Sequence, residues 1–240
     1  VHDEGHTVAL YDEDEVIMVI CEKYNFVFLR VPKNASSSLA EFFVRNFCDM
    51  GDKWTDVNDC GLPMNNIPRE LVYKYADKYR YIHLTLEELV QNRMLPPTDL
   101  ERKRIITVIR DPLMRQLSLY FFLKRVETPS IEEFRSIFKN GYHASDPSNK
   151  ILQTEYPRVY GYDYGEYWLY NKLDRYVDSF AKQNNVIPQN SLQKFKSGFT
   201  PQQVNLIDKW YDQKTLDAVR KYYEKDFEKI IELETGLELS

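Results

Sequence analysis

Lys33, Asn34, Ala35, Ser36, Ser37 and Ser38 follow one another inside the stretch FVFLRVPKNASSSLAEFF, which runs from Phe26 to Phe43. An ammonium beside a run of hydroxyls suits an anion with several oxygens, such as a phosphate. The residues ahead of them, Phe26 to Val31, are β-branched, aromatic or aliphatic apart from Arg30, which predicts a covered strand. Beyond Pro32, Leu39, Phe42, Phe43 and Phe47 recur at helical spacing, so a helix is expected to begin among the serines. Its first-turn N–H groups and positive dipole end would then stand beside Lys33 and the hydroxyls. A strand, a short loop and a helix start of this kind form an anion site.

A second stretch, RIITVIRDPLMRQLSLYFFLKR, covers Arg104 to Arg125. Ile105 to Ile109 reads as another apolar strand, ending in Arg110. Asp111 can cap the next helix and Pro112 can open it. Leu113, Leu117 and Phe121 form one helical stripe, while Arg115 and Ser118 stand three apart on another face. Arg110 at the strand end and Ser118 two turns into the helix could grip a second phosphate, since a guanidinium matches phosphate geometry and stays charged in a pocket. The nucleoside-triphosphate loop GxxxxGK[ST] is not present. No glycine occurs between Gly5 and Gly51, so PKNASSS must turn more tightly and offer hydroxyls where that loop offers backbone amides.

The elements that must position these residues alternate. Strand-like stretches are Val16 to Cys21, Phe26 to Val31, Tyr79 to Leu84 and Ile105 to Ile109. Helical patterns follow from Ser38, Thr85, Pro112, Ile131, Tyr167, Thr200 and Thr215. Thr85 with Glu88, and Thr200-Pro201 with Gln203, have the form of capping boxes. Such alternation predicts an α/β fold, a central and mostly parallel sheet flanked by helices, as a single domain over residues 1–240. Asn140 to Gly165, rich in Gly, Pro, Asn, Asp and Tyr, reads as a long functional or mobile loop rather than a domain boundary. The chain is 43% hydrophobic and 29% charged with a net charge of −5, so no global feature points to nucleic acid or an anionic membrane. No apolar run reaches the ~20 residues of a membrane span. Cys21, Cys48 and Cys60 show neither a disulfide framework nor a zinc spacing and read as buried free thiols. The one glycosylation sequon, Asn34-Ala35-Ser36, falls in the anion loop, where a sugar would obstruct it. These features favour the cytoplasm. Because the chain begins at Val1, a removed leader or anchor ahead of it stays open.

Together, RVPKNASSS and IRDPLMRQLSLYFF resemble the 5′-phosphosulfate loop and the 3′-phosphate strand and helix of the sulfotransferases that use 3′-phosphoadenosine-5′-phosphosulfate. Within that family the pair is most similar to the carbohydrate 2-O-sulfotransferase branch, including the heparan and uronyl enzymes. YYEKDFEKI near the end resembles the family's final Tyr-x-x-Asp-Phe helix, with Leu216, Val219, Tyr223, Phe227 and Ile230 as its core stripe. The resemblance implies a P-loop-like sulfotransferase fold and, as the alternative to the cytoplasm, a lumenal catalytic fragment of a Golgi membrane enzyme whose anchor is absent. It gives Lys33 the bridging and sulfuryl oxygens, Asn34 to Ser38 the 5′-phosphate, and Arg110 and Ser118 the 3′-phosphate, with Arg30 lining the same pocket. Asn34 stands where the family commonly has Thr, and three serines replace a mix of Thr, Gly and Ser; both changes keep polar donors.

An acceptor hydroxyl must also lose a proton, which calls for a base that titrates near neutrality. In the resembled branch a catalytic histidine precedes the IRDP strand, and His83, in YRYIHLTLEEL, holds that place; His143, in the long loop, is the reserve. The expected function is transfer of a sulfuryl group from 3′-phosphoadenosine-5′-phosphosulfate to a hydroxyl of a carbohydrate or glycoconjugate. Adenosine 3′,5′-bisphosphate would be the product, with no metal and no nucleic acid involved. The rivals are a nucleoside-triphosphate-dependent kinase and a non-catalytic nucleotide- or glycan-binding module. Aromatics between Tyr156 and Trp168 could stack on sugar faces or else pack and anchor the loop, and Lys194 to Phe199 could close over the adenine and 3′-phosphate.

Overall fold

The computed structural model describes residues 16–47, 54–56, 83–123, 129–139, 151–189 and 205–238. Its five-stranded sheet is formed by β1 (Val16–Cys21), β2 (Phe26–Leu29), β3 (Trp54–Asp56), β4 (Arg104–Ile109) and β7 (Gly165–Leu169), in the order β3-β1-β2-β4-β7. β2, β4 and β7 run parallel, with Leu29 beside Thr107 and Ile109 beside Leu169. β1 is antiparallel to both of its neighbours. The fold is α/β with a mostly parallel central sheet.

Side chains alternate across the sheet with the period of two that extended backbone imposes. Val27, Leu29 and Ile105 face a layer made by Leu86, Leu89 and Val90 of α2 (Leu86–Gln91). Phe26, Phe28, Ile106, Val108 and Trp168 face the opposite layer. There Leu39, Phe42, Phe43 and Phe47 of α1 (Ser36–Phe47) meet Val177 and Phe180 of α5 (Leu173–Gln183). Cys21 is buried in this layer, its Sγ donating to Phe47 O at 3.6 Å. A third, aromatic-rich cluster joins α3 (Pro112–Leu123), α4 (Ile131–Lys139), α6 (Asn205–Trp210) and α7 (Gln213–Tyr222). The last helix, α8 (Glu224–Glu238), lays Ile230 and Leu233 against Ile109, Tyr167 and Leu169.

Several expectations are met in detail. The Thr85–Glu88 capping box is present, with the Glu88 N–H donating to Thr85 Oγ1 at 3.2 Å and the Thr85 N–H to Glu88 Oε2 at 2.9 Å. Asp111 Oδ1 accepts from Met114 N at 2.9 Å and caps α3, which opens at Pro112. Others need correction. The helical pattern read from Tyr167 is the strand β7, and the helix after it starts only at Leu173. Tyr167, Trp168 and Leu169 are all buried, so the strand carries no polar alternation to distinguish it from a helix. The stretch from Asn140 to Gly165 is not a plain loop where it is described. It contains a 3-10 turn at Gln153–Glu155 and a hairpin of β5 (Arg158–Val159) and β6 (Tyr162–Asp163). Tyr160 and Gly161, at φ 50° and 86°, form its two-residue turn, which requires left-handed backbone at both positions. Within the strand expected at Tyr79 to Leu84, only His83 and Leu84 are described, in the turn that leads to α2. The Thr200 helix start lies outside the described residues.

Candidate functional site

The three parallel strands end at Leu29, Ile109 and Leu169, and the next residues are Arg30, Arg110 and Tyr170. They therefore emerge together at the carboxyl end of the sheet, where open α/β sheets bind ligands. Both sequence motifs meet there.

The first loop turns without glycine by placing Lys33 at φ 64° and Ala35 at φ 58°. Left-handed backbone costs an L-residue about 1–2 kcal/mol at each such position, so the surroundings must hold it. They do so through successive carbonyls. Arg30 O lies 2.7 Å from His83 Nδ1, and Val31 O accepts from Asn34 N at 3.3 Å. Pro32 O accepts from Arg115 Nε at 3.1 Å, and Lys33 O from Arg110 Nη1 at 2.8 Å. With these carbonyls occupied by protein donors, their negative ends do not face an incoming anion. Arg30, 2% exposed, donates from Nη2 to Ser37 Oγ at 3.0 Å and ties the strand end to the first turn of α1. The Lys33 ammonium lies 4.1 Å from the centre of the Phe122 ring. Ser36 and Ser38 are buried and Ser37 is exposed. Asn34 is fully buried, and its amide nitrogen donates to Val108 O and Gln153 Oε1, each at 2.6 Å. The Asn34 side chain thus points into the fold.

The residues expected to form the second grip start at the end of β4. Arg110 is buried, with its guanidinium 4.3 Å from the Tyr170 ring centre. Ser118 is half-buried on α3. His83 stands against the first loop. Because a carbonyl only accepts, its hydrogen bond to Arg30 O puts the ring hydrogen on Nδ1 and leaves Nε2 as the acceptor nitrogen. Burial pushes the His83 pKa down to about 3; the charges of Arg30, Arg115 and Lys33 push the same way, against the opposing pull of its hydrogen bond. His83 is held neutral, inside a field of cations.

Two features of the site are absent from the sequence reading. Arg115 is buried and holds the Pro32 carbonyl; its place three residues before Ser118 was its only signal. Gln153 joins the two motifs: its Oε1 accepts from Asn34 Nδ2 and from Arg110 N at 2.9 Å, and its Nε2 donates to Arg110 O at 2.8 Å. Nothing in the stretch around Gln153 marks it. Its anchor, Asp226, is the Asp of the Tyr-x-x-Asp-Phe run in the YYEKDFEKI segment, where the resemblance came with a role only for the apolar stripe. Of that stripe Val219 and Tyr223 are buried, and Leu216, Phe227 and Ile230 partly so.

The aromatic run divides. Tyr156, Tyr167 and Trp168 are core residues, while Tyr160 and Tyr162 are 69% and 71% exposed. The hairpin that carries the exposed pair precedes Gly165, which is beside Ile105 at the start of β4. These two rings therefore lie toward the amino end of the parallel strands, opposite Arg30 and Arg110. His143 and the Lys194 to Phe199 segment lie outside the described residues. Among the described residues no group of His, Cys, Asp and Glu could hold a metal ion, and no helix is long and apolar enough to cross a membrane.

The sequence model of the sulfotransferase family matches residues 17–196. The chain belongs to the sulfotransferase family. The match takes in both anion motifs and His83, and the sulfotransferase's helices α6 to α8 lie beyond it. No curated protein and no solved structure matches the chain.

Proposed function

We propose that this sulfotransferase moves a sulfuryl group from 3′-phosphoadenosine-5′-phosphosulfate to a hydroxyl of a carbohydrate or glycoconjugate, as a single domain. The observation that carries the reading is the meeting of two separate anion grips and a neutral histidine at one end of the sheet. Lys33 with Ser36 to Ser38 forms one grip, Arg110 with Ser118 the other, and His83 bonds to the first loop. The donor set fits a nucleotide with phosphate on both its 5′ and 3′ sides. It is cationic and hydroxyl-rich, and the nearby carboxylate of Asp226 is occupied by N–H and O–H donors from Gln153 and Thr154.

The donor supplies the sulfuryl group and the phosphate oxygen that leaves with the bisphosphate. Sulfuryl transfer, like phosphoryl transfer, depends mostly on positioning and on stabilising charge. The Lys33 ammonium would meet the negative charge that grows on the leaving bridging oxygen, where a fixed cation is worth most. His83 Nε2 would take the acceptor hydroxyl's proton as its oxygen forms the new bond to sulfur. Burial first, and then the charges of Arg30, Arg115 and Lys33, hold His83 below an ideal basicity. Negative charge among them would offset that field, so His83 becomes a better base once the donor is in place. Arg110 and Ser118 would hold a phosphate that does not react.

Thermal unfolding with adenosine 3′,5′-bisphosphate, AMP, and ATP with magnesium tests the reading. At 100-fold excess over Kd the bisphosphate should add about 2.7 kcal/mol, and at equal concentration AMP should add clearly less. Equal stabilisation by AMP would remove the role of Arg110 and Ser118; a strict preference for ATP with magnesium would favour a kinase.

A further inference from the structure

Gln153 is 1% exposed and its side-chain amide is used completely. Oε1 accepts from Asn34 Nδ2 at 2.6 Å and from Arg110 N at 2.9 Å. Nε2 donates to Arg110 O at 2.8 Å and to Asp226 Oδ2 at 3.2 Å. Because the Arg110 carbonyl and the carboxylate can only accept, the amide has one orientation. The ladder between β4 and β7 ends at Ile109 beside Leu169, and Gln153 takes over both backbone groups of the very next residue. The same amide reaches across to Asn34, whose nitrogen also bonds Val108 O within β4. One side chain thus joins the loop of the first grip to the backbone of the second.

Asp226, fully buried in the first turn of α8, fixes that side chain in place. Its Oδ2 accepts from Gln153 N at 2.9 Å, and its Oδ1 accepts from Thr154 N and Thr154 Oγ1, each at 2.9 Å. Hydrogen bonds to a buried carboxylate are among the stronger ones available to a protein, and the Asp226 carboxylate and the Gln153 amide, each with every polar atom partnered, are held rigidly. A network serving only the general fold could sit anywhere along the helix. This one ends on Asn34 and Arg110.

We propose that Gln153, anchored by Asp226, is a positioning residue that sets the separation of the two anion grips and thereby selects a nucleotide phosphorylated on both its 5′ and 3′ sides. The proposal rests on the donor reading above. Neither residue touches the ligand; both act through Asn34 and the Arg110 backbone. Loss of the amide lets the Arg110 segment shift relative to Lys33 and the serines, so the 3′-phosphate no longer adds its share of the affinity. A displacement near 1 Å is enough for a large loss.

The test is the ratio of affinities for adenosine 3′,5′-bisphosphate and AMP, measured by titration calorimetry on the full chain. Gln153→Met keeps volume and removes every bond of the amide, and it should lower that ratio about tenfold or more. Thr154→Val removes one bond to Asp226 and leaves the Gln153 amide intact, so it should lose stability without moving the ratio. Should Gln153→Met fail to fold, Asn34→Ala, which cuts the loop end of the same link, should show the same drop. A folded Gln153→Met, or in its place Asn34→Ala, that keeps the parent ratio overturns the proposal while the donor reading stands. A parent protein with no preference for the bisphosphate overturns the donor reading and this proposal with it.

Discussion

At the scale of the residue, Lys33 and His83, in the roles proposed for them, would divide the chemistry between leaving group and acceptor. Lys33→Ala should lower turnover by about two to three orders of magnitude, the usual loss when a group facing developing charge is removed. His83→Gln keeps a donor toward Arg30 O but offers no base, so turnover should fall about 10²–10⁴-fold with bisphosphate affinity nearly unchanged. Steady-state kinetics beside calorimetry separates the two effects, and a His83→Gln enzyme at parental rate would move the base to His143 or to the acceptor itself. His83 also makes a prediction about stability. Its folded pKa of about 3 lies below the unfolded value of 6.5. Between these values the unfolded chain binds a proton that the folded chain does not, so stability is full above pH 6.5 and declines as pH falls toward 3. Urea unfolding at pH 7.5 and pH 5 should show this loss in the parent and a smaller one in His83→Gln; equal losses would mean that His83 is not held neutral.

At the scale of the element, the strand–loop–helix units explain both what could be read in advance and what could not. β2 with α1, and β4 with α3, were legible because each combines an apolar strand, a polar loop and a helical stripe within about 20 residues, so local patterns suffice. β7 was misread because its residues are covered and its aromatic run carries no period. Gln153, and its link to the Asp226 of the Tyr-x-x-Asp-Phe run, were not legible for a different reason. The two residues stand 73 positions apart, and a buried polar pair leaves no periodic trace in either segment. The backbone of the first loop could not be read either: the missing glycines implied a tight turn, but not that Lys33 and Ala35 would adopt left-handed φ. That geometry makes its own prediction. Ala35→Gly should leave stability unchanged or raise it by up to about 1 kcal/mol, since relief of strain exceeds the added freedom of the unfolded chain. Ala35→Val, β-branched at positive φ, should lower it. Chemical denaturation decides, and a clear loss in Ala35→Gly would contradict the loop conformation.

At the scale of the whole molecule, a chain with net charge −5 gathers Arg30, Lys33, Arg110 and Arg115 at one end of its sheet. The doubly phosphorylated nucleotide proposed as ligand would be drawn there by a local field rather than by the protein's overall charge. The C-terminal helices complete the arrangement from outside the matched span, since Asp226 on α8 anchors the residue that joins the two grips. Because Lys33 and the arginines supply the positive charge that transfer needs, the reaction should run without a divalent metal. The most direct measurement uses donor labelled in its sulfuryl group, incubated with the protein and a panel of glycans in the presence of chelator. The account predicts label in a glycan, equal release of adenosine 3′,5′-bisphosphate, and loss of both in Lys33→Ala. Binding of the bisphosphate with no label transferred to any glycan would contradict it.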